Sequence, residues 1–196
     1  MPQPLIRSPG IPFILKAMNK WNSRPVALTL TVAGALARVL PHPPNFAPVG
    51  AVSVFAGARL PMWQAYSIPL ILMAVTDPIL NAMRGYPAFT WYQAFTYFSF
   101  LISVFIGRQL RSTESTWKIG GAVLASSAQF FLISNLGSWL YDYPHTFAGL
   151  GACYAAAIPF FERTLMSDVF FTAVLFALHA VATRTMASAE RVPAAA

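Results

Sequence analysis

The chain has 196 residues, of which 57% are A, V, I, L, M, F, W, Y or C and 10% are charged, against about a quarter charged in a soluble domain; its mean hydropathy is +0.57. That composition excludes a soluble domain and predicts an all-α membrane protein: at about 20 residues per crossing there is room for about six spans, so any ATPase would be another chain. The net charge of +7 does not indicate nucleic acid, because the cations gather at the ends of apolar stretches, where charge orients a protein in a bilayer.

Residues 1–24 carry Arg7, Lys16, Lys20 and Arg24 and read as a cytoplasmic N-terminal arm. They do not read as a signal peptide, since the apolar patch from Ile11 to Leu15 is short and holds a proline. A transmembrane domain follows over 25–183. Five stretches within it are long enough to span: about 25–40, 62–80, 90–107, 118–141 and 164–183. Two more, 46–60 and 147–161, would reach only about 22 Å as ideal helices against a hydrocarbon core of about 30 Å, and read as short or re-entrant segments. Residues 184–196 form a cytoplasmic C-terminal tail.

The basic residues arbitrate between topologies. With five spans they divide almost evenly between the two sides, which fails. With seven, Arg38, Arg84, Arg184 and Arg191 lie outside. With six, in which 46–60 crosses and 147–161 does not, only Arg38, Arg84 and Arg163 lie outside. Six spans are favoured, with both termini cytoplasmic in a bacterial inner membrane. The two short stretches also share a pattern: Pro41-His42 before Phe46-Ala47-Pro48-Val49-Gly50-Ala51, and Pro144-His145 before Phe147-Ala148-Gly149-Leu150-Gly151-Ala152. Gly- or Pro-interrupted segments at matching places in two halves point to a transporter's binding site.

In this topology the non-basic polar residues collect on the outer side. His42 and Asn45 lie in the loop PHPPNFAP, which its prolines hold extended. Asp77 lies near the outer end of the third span, where a charge costs about 2.5 to 3.5 kcal/mol. It either caps a new helical segment begun by Pro78 or is a ligand-facing or ion-paired carboxylate with Arg84 or Arg38 as partner. Asn81 shares its face, one turn on. In the fifth span Ser127, Ser134 and Ser138 form one polar stripe, with Asn135 and Asp142 at its edge. Such stripes also serve as glue between helices.

Aromatic residues crowd the same side, among them Tyr86, Trp91 and Trp139. An interfacial belt accounts for rings but not for the carboxylates, asparagines and histidines among them. Rings with a few converging polar groups describe a small-molecule pocket. The candidate substrate-binding set is therefore His42, Asn45, Asp77, Asn81, Tyr86, Trp91, Asn135, Trp139 and His145. HExxH, GxSxG, Walker and CxxC motifs are absent, and the single cysteine, Cys153, reads as a small buried hydrophobe. The expectation is a protein that is not an enzyme, with no cofactor and no metal site.

The stretch RVLPHPPNFAPVGAVSVFAGA from Arg38, the Thr76-Asp77 pair and the run from Ser134 to Asp168 resemble an uncharacterised bacterial integral membrane family. That family is similar to the substrate-binding S-components of energy-coupling factor (ECF) transporters. The resemblance implies a six-helix fold with both termini inside and a vitamin-sized pocket opening outward. It also implies a transmembrane coupling subunit driven by two ATPases. S-components often dock through a small-xxx-small motif on the first helix, matched here by Ala33 and Ala37 with Gly34 beside them. The likeness extends distantly to solitary cobalamin transporters, but the region GYPAFTWYQAF has no cysteine to ligate cobalt. Two functional classes stand: uptake of a small organic solute such as a vitamin or cofactor precursor, and a membrane scaffold or assembly subunit without a solute.

Overall fold

The computed structural model describes residues 11–111 and 113–189, with side chains over 23–111 and 113–188. It contains six helices and, among the described residues, no strand: α1 (Ile11–Ala37), α2 (Val49–Arg59), α3 (Met62–Met83), α4 (Gln93–Arg108), α5 (Thr116–Asp142) and α6 (Phe147–Ala189). Three of them, α3, α5 and α6, are long and apolar enough to cross a membrane. Helix α4 has 16 residues, about 24 Å of rise, and α2 has 11, about 16 Å. Helix α1 runs without interruption through the predicted boundary between arm and membrane domain, with Pro25 inside it. Helix α6 likewise continues into the predicted tail.

The bundle buries polar residues beside its apolar core and exposes a largely apolar surface, an arrangement suited to a bilayer. Ser53, Ser99, Ser103, Ser127 and Ser167 are fully buried, and Asp77 and Asp168 nearly so, whereas Ile71, Val75 and Ile79 form an exposed stripe along α3. In lipid, exposed apolar groups cost nothing, while every polar group must find a partner within the protein. The serines do so locally: Ser53 donates to Val49 O, Ser99 to Phe95 O and Ser103 to Ser99 O. Between α4 and α5, Ser126 donates to the Ser103 hydroxyl at 2.8 Å, and the Gln129 amide bridges Ser99 O and Ser103 Oγ.

The centre of the bundle is α2, whose residues from Val49 to Ala58 are buried apart from the half-buried Gly50. Phe55 packs edge-on against Phe176 at 5.3 Å. In a bilayer this close packing gains dispersion energy rather than hydrophobic free energy. Val49 clusters with Phe100 of α4, while Arg59 at the other end reaches Leu110 O and Glu114 beyond the end of α4. Helix α2 thus lies beside the C-terminal half of α4 alone. Its N-terminus stops in mid-bundle, and the segment from Arg38 to Pro48 descends to meet it. Ser167 anchors that segment by donating to Ala47 O at 2.9 Å, and Phe46 packs on Phe170 and Phe171.

Two expectations are corrected. The stretch 147–161 is neither re-entrant nor separate: it forms the first turns of the 43-residue α6, which passes through Pro159 unbroken. At 1.5 Å per residue α6 is about 64 Å long, twice the hydrocarbon core. Its start is set by Thr146, whose hydroxyl accepts from Gly149 N–H in an N-cap. Nor does Pro78 begin a new segment capped by Asp77, because α3 runs from Met62 to Met83 with Pro69 and Pro78 both inside. The likeness between the two Pro-His segments is therefore not structural: the first leads to a short buried helix, the second to the longest helix in the molecule.

Candidate functional site

Because α2 fills only one half of the bundle, space remains above its N-terminus. It is a cavity of about 650 Å³ bounded by the α1–α2 segment and by α3, α4, α5 and α6. Its lining follows helical spacing. Met73, Asp77, Leu80, Asn81 and Arg84 form one face of α3, and Gln93, Thr96, Phe100 and Ser103 one face of α4. From Gln93 to Ser103 the α4 face descends about 15 Å. The cavity therefore has a polar mouth, an apolar middle of Met73, Phe100 and Phe130, and a polar floor of Ser103, Ser126 and Asp168.

At the mouth, Arg38 Nη2 meets Asp77 Oδ1 at 2.6 Å, and its other terminal nitrogen donates to Thr76 Oγ1 at 3.2 Å. Asp77 Oδ2 accepts from the Tyr97 hydroxyl at 2.6 Å and from Gln93 Nε2 at 3.2 Å. Gln93 is oriented in turn by the Thr90 N–H, which donates to its carbonyl oxygen. One carboxylate thus ties together the end of α1, α3 and α4. Of the two partners open to Asp77 from sequence, the structure selects Arg38; Arg84 is exposed at the rim.

The floor has a second carboxylate. Asp168 is 4% exposed and accepts from the Ser127 hydroxyl at 2.7 Å and from the Ala51 N–H at the start of α2. It sits so close to α2 that a methyl group at Gly50 would lie 2.3 Å from Asp168 Oδ1. The N-terminal N–H groups of α2 and their share of the helix dipole suit a negative charge here.

Of the nine predicted binding residues, His42, Asn45, Asp77, Asn81 and Tyr86 line this cavity. Asn81 also donates to Ala88 O, which shapes the α3–α4 loop. The other four do not line it. Trp91 is 79% exposed on the loop before α4. Asn135 donates to Phe131 O in its own helix and borders a smaller side cavity of about 210 Å³. Trp139 and His145 meet edge-on at 5.5 Å and tie the α5–α6 turn, the indole N–H donating to Pro144 O and the imidazole meeting Leu140 O. Their polar atoms are engaged in closing a helix end.

Sequence reasoning missed Gln93, Thr96, Tyr97, Ser103, Ser126 and Asp168. A signal existed for Asp168: it is an acidic residue within an apolar stretch, the same feature that drew attention to Asp77. Among the described residues, no group of three or more His, Cys, Asp or Glu side chains is placed to hold a metal ion.

An all-helical protein with three helices long and apolar enough to cross a membrane, buried polar residues and an internal cavity is the class that these features define. The chain belongs to the family of unknown function DUF6580, whose model matches residues 19–192. No curated protein matches it, and no solved structure does.

Proposed function

We propose that this protein is a membrane-embedded binding protein for a small organic solute, of the size of a vitamin or cofactor precursor, and that it mediates uptake of that solute from the outer face. The observation that carries the reading is the cavity of about 650 Å³ beside the N-terminus of α2, within the range of about 300 to 1,000 Å³ usual for small-molecule sites. Its apolar middle between two polar ends suits an organic molecule better than a bare ion. The reading places the Arg38–Asp77 end outward and both termini in the cytoplasm of a bacterial inner membrane.

In this reading the protein works as S-components do, delivering solute to a transmembrane coupling subunit with two ATPases. Ala33 is exposed on α1 and Ala37 half-buried, so the face proposed for docking is partly open to a neighbouring helix. No catalytic step and no cofactor is assigned.

The test is mass spectrometry of small molecules that co-purify with the protein extracted gently from its membrane. The control is a folded Thr96→Trp variant, which sets an indole into the cavity from the α4 face. A molecule carried by the parent chain and absent from the variant supports the reading. Parent and variant that carry the same lipids and nothing else would overturn it in favour of a scaffold role.

A further inference from the structure

The two carboxylates of the cavity differ in what they lack. Asp77 has a counter-ion in Arg38 and two further donors in Tyr97 and Gln93. The ion pairs among the described residues are Arg38–Asp77 and Arg59–Glu114, which leaves Asp168 with no cationic partner among them. A carboxylate offers about four lone-pair sites, and Ser127 and Ala51 engage two of them. Burying such a group without a counter-ion is costly, and the start of α2 offsets only part of that cost.

The rest of the cavity shows what would complete it. Above Asp168 the wall is Met73 with the rings of Phe100 and Phe130, whose centroids lie 5.0 Å apart. Above these lie the neutralised Arg38–Asp77 pair and, at the rim, Arg84. The floor carries a carboxyl group, the middle is apolar and the rim carries a guanidinium.

On the reading of the cavity as a solute site, we propose that its ligand is an organic cation with a flat apolar body, bound with its charged nitrogen on Asp168 and its body against the wall formed by Met73, Phe100 and Phe130. The ammonium or ring N–H donates to the free carboxylate lone pairs, and the Ser126 hydroxyl, which gives its own proton to Ser103, also lines the cavity as a further acceptor. A solute whose leading group is anionic is repelled by Asp168, so charge at the floor sets which end enters first.

The experiment compares tryptamine, tryptophol and indole-3-acetate, which share one ring system and differ in charge, as stabilisers of the purified full chain in detergent. The parent chain is expected to bind tryptamine at least about tenfold more tightly than tryptophol, and Asp168→Asn to remove that difference. A second readout needs no variant. A hydrophobic carbodiimide should label Asp168 in the ligand-free chain, and tryptamine but not tryptophol should protect it, as read by peptide mass. Equal binding of the three probes, or preference for the anion, overturns the cationic class while leaving a solute cavity in place. Absence of binding by all three, or protection of Asp168 by tryptophol as well as by tryptamine, also overturns it. The broader solute reading falls separately, on the co-purification test.

Discussion

Gly57 of α2 and Gly107 of α4 face each other where the two helices meet. A methyl group on Gly57 would lie 2.2 Å from the Val104 carbonyl oxygen, and one on Gly107 would lie 2.1 Å from that of Val54. Backbone rests on backbone here, so no side chain can swing away to make room. Gly107→Ala is expected to destabilise the folded chain by about 2 to 3 kcal/mol, whereas Gly121→Ala, with open space around it, should have no destabilising effect beyond the scatter of surface substitutions. Thermal unfolding in detergent compares the two, and equal effects would refute the close crossing.

The Arg38–Asp77 pair predicts an asymmetry. Arg38→Ala leaves a carboxylate with 9% of its side chain exposed and no counter-ion, whereas Asp77→Asn still offers an oxygen to Tyr97 or Gln93. The first should cost about 2 to 4 kcal/mol, below the upper range for fully buried pairs because Arg38 is 16% exposed; the second should cost less. A double-mutant cycle should return a coupling of about 1 to 3 kcal/mol. Zero coupling would show that the two residues act independently.

Cys153 is 2% exposed, with its thiol directed at Asn135 O at 3.4 Å. It is expected to resist a membrane-permeant maleimide in the folded protein and to react at once after denaturation in detergent. Rapid labelling of the folded chain would mean that α5 and α6 separate at this level.

Helix α6 is expected to fray from its capped end and not at its internal proline. Thr146→Ala should cost about 1 kcal/mol, and hydrogen exchange in the variant should rise over 147–150. If exchange were instead fastest just after Pro159, the continuous helix would be replaced by two separate segments.

Much was legible from composition and hydropathy, because both are sums over neighbouring residues. They placed helices close to their observed bounds: α3, α4 and α5 lie within a few residues of the predicted 62–80, 90–107 and 118–141. Asp77 stood out as a charge in an apolar stretch, and the loop residues His42 and Asn45 and the α3 residue Asn81 border the same cavity. Trp139 and His145 lie away from that cavity, and the sequence could not show this because a ring beside a helix end has the same composition whether it faces a cavity or closes the turn. Their hydrogen bonds to Pro144 O and Leu140 O hold them at the turn.

What the sequence determined by itself is the solvent the chain is built for and where its helices run, since both depend on local apolar content. That 147–161 joins the last helix was not legible there, because a proline such as Pro159 ends some helices and is carried inside others, as it is in α6. The choice of Arg38 over Arg84 for Asp77, the halt of α2 in mid-bundle, the cavity that this leaves and the exposure of Asp168 to that cavity belong to the tertiary structure. Each depends on which helix lies against which, and a cavity is defined by atoms that are not there, so no run of neighbouring residues can specify it.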